Sequence, residues 1–321
     1  MKSIRPKFLV GIDVSKEQLD VFIQKQEGKS ESKQFRNTPA DIQKLVRLLE
    51  PGDRIVMEAT GTYHLACAKT LASHNLEVIV LNPAQSHFYA KSKLARNKTD
   101  KVDACLLSEM AKDETHRLFE PTPDHIEALQ GFMRVHQDLV KQRTAKKVQI
   151  QTPGIQEFEI DYYTNELARL NQAIKDLLAG MAAHITSHPD LKLLYENLQS
   201  IPGIGPIVGA VLLAHLPRTL CSAKAASAFV GLNPSLKQSG NSAGTTRISK
   251  TGNPMVRQML TQAAMAIIRS RNPMREFYDR LRENGKTHRA AITALANKLV
   301  RISYAVLKNG SKYDFQYLTQ T

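Results

Sequence analysis

The chain has 321 residues, 42% of them hydrophobic, and its lysines and arginines outnumber its acids to give a formal net charge of +14. This is enough for two domains with separate buried cores, while no segment reaches the roughly 18 uninterrupted apolar residues of a membrane span. A pI near 9.6 indicates a nucleic-acid partner more readily than a small anion, although basic surfaces also bind membranes.

Residues 1–113 alternate strand-like and helix-like patterns. We predict strands near 8–13, 19–24, 54–58 and 77–81 and helices near 40–50, 63–73, 84–92 and 100–112. The first two strands are close enough to pair as a hairpin. This alternation is typical of an α/β domain.

Four acids in this region have a distinctive placement. Asp13 and Glu58 each end an apolar run, at the close of a predicted strand. Asp100 and Asp103 are three residues apart, which puts both carboxylates on one face of a helix that Thr99 could cap. We therefore expect one carboxylate from each of two strands and two from one helix to converge.

Such a cluster repels itself unless cations neutralise it. Hard oxygen ligands favour Mg²⁺ or Mn²⁺ over zinc. Two ions about 4 Å apart could activate an attacking oxygen and stabilise the leaving oxygen during phosphodiester cleavage. Any one of these acids alone is more typical of a solvated surface charge, and only the combined placement of Asp13, Glu58, Asp100 and Asp103 favours two metal ions.

Residues 114–190 form a predicted helical linker. A basic-faced helix covers 124–150, and Thr152-Pro-Gly154 should break it. Apolar residues then recur with heptad spacing, which predicts a short coiled coil. This seam could pair two subunits or pack on its own domain, and we favour a homo-oligomer, dimer or tetramer. The heptad positions are Ile160, Tyr163, Leu167, Leu170, Ile174, Leu177 and Met181.

Residues 191–321 are predicted to form a mainly helical domain with an unusual charge pattern. No Asp or Glu occurs from Asn197 through Arg275, so intrahelical ion pairs cannot explain the cations there, and phosphate contacts are favoured. Ile201-Pro-Gly-Ile-Gly-Pro206 resembles a helix-hairpin-helix, whose glycines let backbone N–H groups approach a phosphate. A second acid-free basic stretch precedes Asp100. The predicted nucleic-acid contacts are Lys91, Lys93, Arg96, Lys98, Gly203, Gly205, Lys237, Arg247, Lys250 and Arg257.

Several motifs together resemble the DEDD transposases of the insertion sequence one-ten family. They are Gly11-Ile-Asp-Val-Ser-Lys16, Met57-Glu-Ala-Thr-Gly61, Lys98-Thr-Asp-Lys-Val-Asp-Ala104, Ile201-Pro-Gly-Ile-Gly-Pro206, Phe229-Val-Gly-Leu-Asn-Pro234, Gln238-Ser-Gly240 and Arg247-Ile-Ser-Lys-Thr-Gly-Asn253. The match covers nearly the whole chain. It implies an RNase H-like, RuvC-like catalytic domain and a carboxyl-terminal transposase domain.

The resemblance also implies a nucleophile. Taken alone, Gln238–Ser242 is a flexible polar loop, but the corresponding serine in the family is thought to attack DNA and form a covalent phosphoserine. On that match the nucleophile is Ser239. Ser242 is the alternative, because the family often has Ser-Ser-Gly-Gly where this chain has Gln-Ser-Gly-Asn-Ser. No His–Asp pair is apparent beside the loop, so the hydroxyl needs an activator from elsewhere, and Arg247 and Lys250 could neutralise the phosphate.

We therefore expect a transposase or recombinase that cuts and rejoins donor and target DNA, guided, as the resemblance implies, by a structured noncoding bridge RNA. A hydrolytic nuclease or junction resolvase that uses the carboxylates alone is an alternative. A non-catalytic nucleic-acid-binding relative is another. Cys67, Cys105 and Cys221 are far apart and lack metal-ligand spacing, which is typical of buried thiols in a reducing cytosol, so we expect a cytoplasmic, nucleoid-associated protein.

Overall fold

A computed structural model of the chain describes residues 7–25, 28–93, 100–235, 238–239, 242–243 and 247–314. The side chains of residues 100–101 and 234–247 lie outside this description. The described residues divide into two compact units, Met1–Thr122 and Pro123–Thr321. The three-part division at 113/114 and 190/191 stays a prediction.

The first unit is a mixed α/β domain. Its helices begin where the sequence offers caps: Thr38 accepts a hydrogen bond from the Asp41 amide, and Asn82 and Gln85 form a capping box. Its elements are β1 (Phe8–Val14), β2 (Gln18–Lys25), β3 (Ser30–Arg36), α1 (Pro39–Val46), β4 (Arg54–Glu58), α2 (His64–Ser73), β5 (Glu77–Leu81), α3 (Pro83–Ser92) and α4 (Asp100–Met110).

The five strands form one sheet in the order β3-β2-β1-β4-β5. β1, β4 and β5 are parallel neighbours, while β2 pairs antiparallel with both β1 and β3. Because side chains alternate along a strand, Val10, Ile12 and Val14 point to one face, where they join a core with α1 and α2. The other face packs Val56, Ile79 and Leu81 against α4. This mixed sheet is compatible with an RNase H-like fold.

Strand β3 was not predicted from the sequence. Its sequence, Ser-Glu-Ser-Lys-Gln-Phe-Arg, has no apolar alternation, because it is an edge strand and five of its seven residues are exposed. Charged residues are common on such edges, where they discourage pairing with other chains. A hydrophobic period therefore cannot reveal an edge strand of this kind.

The second unit is mostly helical, as predicted. Asn253 caps α10 by accepting hydrogen bonds from the Met255 and Val256 amides, and Pro254 occupies the first helical turn. Its elements are α5 (Asp124–Ile150), α6 (Glu157–Thr186), α7 (Pro189–Gln199), α8 (Pro206–His215), α9 (Ala223–Val230), β6 (Pro234–Ser235), β7 (Gln238–Ser239), β8 (Ser242–Ala243), β9 (Arg247–Ile248), α10 (Pro254–Arg269), α11 (Pro273–Glu283) and α12 (His288–Asn309).

Helices α5 and α6 form a helical hairpin, each about 40–45 Å long at 1.5 Å per residue. Of the predicted heptad positions, Leu170, Ile174 and Met181 are buried, and Met181 shares a core with Leu129 and Met133 of α5. Near the tip, Lys146 Nζ lies 4.9 Å from the centre of the Tyr163 ring. These three heptad positions are thus covered within the chain, where α6 packs on α5, and pairing between subunits stays a prediction.

Helix α12 forms the centre of the second core. Leu295, Leu299 and Val300 are fully buried, and α12 packs against α7, α9, α10 and α11. This helix is long enough to cross a membrane, and its most apolar 18-residue stretch has a mean hydropathy of 1.3, but 61% of that stretch is buried inside the protein. It therefore has the properties of a core helix.

Candidate functional site

The carboxyl ends of β1 and β4 bring Asp13 and Glu58 side by side. The parallel register runs from Leu9↔Arg54 to Ile12↔Met57, so Asp13 and Glu58 are the next residues on the two strands. Asp13 lies two residues after Gly11 on β1, and Glu58 lies two residues after Val56 on β4. Because residues two apart on a strand share a face, both acids are on the face where Gly11 and Val56 pack against α4. Two of the predicted acids thus occupy neighbouring positions on the α4 side of the sheet.

Helix α4 lies across this face with its amino end toward these acids. At its carboxyl end, the Ala111 carbonyl oxygen accepts a hydrogen bond from Arg54 Nη1 at 3.4 Å, at the start of β4. One or two turns earlier, Ala104 and Ser108 lie over Gly11. The first turn of α4, which carries Asp100 and Asp103, therefore extends toward the ends of the strands where Asp13 and Glu58 lie.

Gly11 permits this close approach. A Cβ at this position would lie 1.9 Å from the Ala104 carbonyl oxygen and 2.4 Å from the Ser108 nitrogen. Both are backbone atoms, which cannot rotate away as a side chain can. A glycine inside a strand often marks a bulge, a bend or a close approach of another backbone, so Gly11 was a signal in the sequence.

Asp13, Glu58 and Asp103, the predicted ligands whose side chains the structure describes, do not by themselves form a metal-binding group. Among the residues whose side chains the structure describes, no three His, Cys, Asp or Glu residues form a group able to hold a metal ion. Asp100, the fourth predicted ligand, lies outside that set because only its backbone is described. The donors at this end of the sheet are carboxylates, and oxygen donors of this kind suit Mg²⁺ or Mn²⁺.

Two further residues here were not predicted. Ser86 of α3 donates a hydrogen bond to Glu58 Oε2 at 2.5 Å, which orients the Glu58 carboxylate toward the start of α3. Asp20 is the direct antiparallel partner of Asp13, and its Oδ1 accepts a hydrogen bond from Gln34 Nε2 at 3.0 Å. Neither residue belongs to a motif, and their positions depend on the register of the sheet.

The basic stretch before α4 is only partly described. Lys91 is exposed, whereas Lys93 forms an ion pair with Glu109 Oε2 at 3.3 Å. The hydrogen bond that Lys93 donates to the Glu109 carboxylate raises the pKa of Lys93 above its ordinary value. Arg96 and Lys98, together with Thr99, lie outside the described residues.

The two predicted phosphate-binding glycines of the second unit have different environments. Gly203 has φ +83°, and an added Cβ would lie 2.6 Å from Ile267 Cγ1 and 3.1 Å from the Ala263 carbonyl oxygen. It therefore packs against α10, in the turn between α7 and α8. Gly205 is the N-cap of α8, and a Cβ there would meet nothing within 4 Å. A side chain would therefore fit at Gly205 but not at Gly203, although Gly203 is the more exposed of the two.

In the second unit, hydrogen bonds join two of the motifs named above, Phe229–Pro234 and Arg247–Asn253. Arg257 Nη1 donates hydrogen bonds to the carbonyl oxygens of Val230 at 2.8 Å and Gly252 at 3.4 Å. Lys250 is exposed with φ +56°, an uncommon conformation for a residue with a side chain, and its amide donates to the Gly231 carbonyl at 3.2 Å. Arg257 thus has a structural contact in addition to its predicted phosphate contact.

These hydrogen bonds join the two ends of segment 231–252, which contains Ser239 and Ser242. β6 pairs antiparallel with β9, which puts Arg247 opposite Ser235, and Ser249 Oγ donates to Asn233 Oδ1 at 2.7 Å. Farther along, β7 pairs with β8, and Ser239 is directly opposite Ser242. Both candidate nucleophiles therefore lie within one hairpin, while Lys237 lies outside the described residues.

Comparison with known proteins agrees with the motifs. Residues 10–152 match a family described as "Transposase", and residues 195–279 match the "Transposase IS116/IS110/IS902 family". The chain is similar to a pilin gene-inverting protein of Moraxella bovis, with 31% identity over 81% of each chain. It is also similar to the transposase of insertion element IS1111A of Coxiella burnetii (26% identity; 81% of this chain, 79% of the relative) and that of IS1328 of Yersinia enterocolitica (25%; 95% and 98%).

Proposed function

Because this chain belongs to the IS116/IS110/IS902 family of transposases, and is thus a DNA transposase or recombinase, we propose that it exchanges DNA strands through a serine nucleophile assisted by the carboxylates of its first unit. The observation that carries this proposal is the adjacent placement of Asp13 and Glu58 at the carboxyl ends of two parallel strands. Asp100 and Asp103, in the first turn of α4, would complete the site.

These four acids would hold two divalent ions, Mg²⁺ or Mn²⁺. Such ions supply electrostatic stabilisation of the developing charge and lower the pKa of a bound hydroxyl. Within the protein, Ser86 keeps the Glu58 carboxylate oriented through its short hydrogen bond. The close contact at Gly11 keeps α4 at a fixed distance from β1.

Ser239 is the proposed nucleophile. Its Oγ would form a bond to the scissile phosphorus while the bond from phosphorus to the 3′ oxygen breaks. The 3′ oxygen leaves as a hydroxyl after taking up a proton, and the 5′ phosphate stays on the serine. Attack by a second 3′ hydroxyl then releases the serine and rejoins the strand. Lys250, exposed two residues after β9, and Arg247 of β9 would stabilise the negative charge of the phosphate.

A structured noncoding RNA is the proposed source of sequence specificity. The net charge of +14 and the acid-free span 197–275 support binding of a large polyanion. Pairing of this RNA with donor and target DNA would select the sites, while the protein holds the phosphate backbones. RNA recovered with the protein from its native host would be sequenced to test this, and only random cellular fragments would contradict it.

A homo-oligomer is the proposed active assembly. The tip of the α5–α6 hairpin exposes large apolar side chains, with Phe158 73% and Val148 62% exposed and Tyr162 59% exposed. A second copy that covered this tip would bury them. Replacing Phe158 and Tyr162 with serine should lower the mass measured by light scattering, and an unchanged mass would contradict a tip-mediated assembly.

The covalent step is tested with matched serine variants. Ser239→Ala should still bind DNA but form no protein–DNA adduct, whereas Ser242→Ala should keep appreciable activity. Asp13→Asn should abolish both cleavage and adduct formation with binding retained. An adduct on Ser239→Ala would overturn the nucleophile. Cleavage that needs Asp13 but never yields an adduct would instead identify a hydrolytic nuclease, and strand exchange unaffected by Asp13→Asn would remove the carboxylates from the reaction.

The serine and the carboxylates lie in different units, so a mixture of variants tests whether they act in one chain. If they act across subunits, Ser239→Ala and Asp13→Asn proteins should regain activity when mixed. A mixture of separately tagged proteins must first be shown to exchange subunits by co-purification. Exchange without recovered activity would mean that both groups act from the same chain.

A further inference from the structure

A groove on the second unit lies outside every site described above. It has a volume of about 330 Å³ and is formed by α9, α11 and α12. Its floor is a stripe of α12 with small residues, Ala294 and Ala305, and its walls include Ala223 at the start of α9 and Phe277 of α11. Small side chains on the floor leave room for a guest of about nucleotide size.

Two cations line this groove, and a third lies against its Phe277 wall. Lys298 and Arg301 line it, and Lys298 Nζ lies 4.5 Å from the centre of the Phe277 ring. Arg280 Cζ lies 5.7 Å from the same ring centre. Burial lowers the pKa of Lys298, and the positive charges of Arg280 and Arg301 lower it further. The three cations repel one another, so a bound anion would relieve that repulsion.

The sequence around the groove carries few acids. From residue 284 to residue 313 there is no Asp or Glu, which is a second acid-free span beyond 197–275. The acids nearest in sequence are on α11, where Asp279 already accepts from Arg275 Nε at 3.4 Å. The amino end of α9 at Ala223 adds the positive end of a helix dipole to the groove wall.

We infer that this groove binds one nucleotide of a nucleic-acid strand, with the phosphate held by Arg280, Lys298 and Arg301. The sugar would pack on Ala294 and Ala305, which offer the apolar contact that a free inorganic anion does not need. The net charge of +14 and the transposase family favour a nucleic acid over an acidic peptide as the occupant. The groove thereby adds a strand anchor separate from Lys250 and Arg257.

The experiment compares two double variants that remove the same charge. Arg280→Gln with Arg301→Gln removes two exposed cations at the groove, and Arg289→Gln with Lys308→Gln removes two exposed cations elsewhere on α12. Binding of fluorescein-labelled oligothymidylate is followed by anisotropy across a salt series. Loss of two contacts should weaken binding roughly twenty-fold near 0.1 M salt and reduce the salt slope by about 1.4. The control pair should lose less than about threefold, since unbound surface charges are screened.

A charge-neutral variant tests the groove itself. Ala305→Leu fills the floor while leaving every cation in place, so it should also weaken binding. Normal circular dichroism and urea unfolding establish that each variant folds. Equal losses in the two double variants, or full affinity in Ala305→Leu, would overturn the inference.

Parallel measurements with oligouridylate tell RNA from DNA. An equal effect on both would indicate recognition of the shared phosphate backbone, and an effect on one polymer would name the strand that the groove holds. These measurements need no strand exchange. A failure of the proposed serine chemistry would therefore leave the groove unaffected, and a failure of the groove would leave that chemistry standing.

Discussion

Replacing Gly11 with alanine tests whether the spacing between β1 and α4 controls activity. The new Cβ would lie 1.9 Å from the Ala104 carbonyl oxygen, whereas real Cβ atoms are essentially never found under 3.0 Å from such an atom. Helix α4 must therefore move by about 1.1 Å or more, because the obstructing atoms belong to its backbone. Asp103 is adjacent to Ala104 and would move with it.

Two effects should follow from this displacement. Overpacking of this kind typically costs about 1–3 kcal/mol of the free energy of unfolding. Misplacement of a reacting group by about 1 Å can cost on the order of a hundred-fold in rate. We therefore expect Gly11→Ala to lose activity far beyond what its reduced stability explains, when strand exchange is measured well below the temperature of unfolding.

Gly131→Ala is the matched control. Gly131 lies inside α5, and its added Cβ would approach only Arg134 Nη2, at 3.7 Å. Alanine in a helix interior is favoured over glycine by about 1 kcal/mol, so this variant should be slightly more stable and fully active. Urea unfolding and strand-exchange rates check both proteins. Wild-type activity in a folded Gly11→Ala protein would refute the link between α4 and the carboxylates.

Two further predictions concern the second unit. Gly203→Ala should lower the free energy of unfolding by about 1–3 kcal/mol, because its Cβ would overlap Ile267. Gly205→Ala meets no such overlap and should cost less, about 1 kcal/mol or under, because alanine is a poorer N-cap than glycine. A larger loss for Gly205→Ala in urea unfolding would contradict the assigned packing. Burial and the nearby charge of Arg134 lower the pKa of His215 below its usual 6.5, so the unfolded state binds its proton first as the pH falls. The free energy of unfolding is therefore unaffected by His215 above pH 6.5 and declines below it toward the folded pKa, by at most about 1.4 kcal/mol per pH unit. In urea titrations at several pH values, His215→Gln should reduce this decline.

The sequence alone determined much of the first unit. Apolar runs located β1, β2, β4 and β5 to within a residue or two, because these strands are buried and their side chains must be hydrophobic. An acid that ends such a run can be recognised as lying at the carboxyl end of a strand. The presence of Asp13 and Glu58 at strand ends was therefore a local property, accessible without a structure.

Tertiary structure decided which elements meet. Heptad spacing predicts that α6 has an apolar seam, but not whether the partner helix belongs to the same chain, because both arrangements bury the same side chains. The chain's own α5 occupies it, held close by the short connection at residues 151–156. Similarly, the glycine at 203 predicts a turn, and only the fold shows that its missing side chain makes room for α10.

The groove of the second unit belongs entirely to tertiary structure. Phe277, Lys298 and Ala223 are far apart along the chain and belong to three different helices, so no motif joins them. Basic composition was enough to predict a polyanion as partner, because charge is a sum over residues. Where the cations converge depends on how the helices pack, since a surface electrostatic site requires distances that sequence order does not contain.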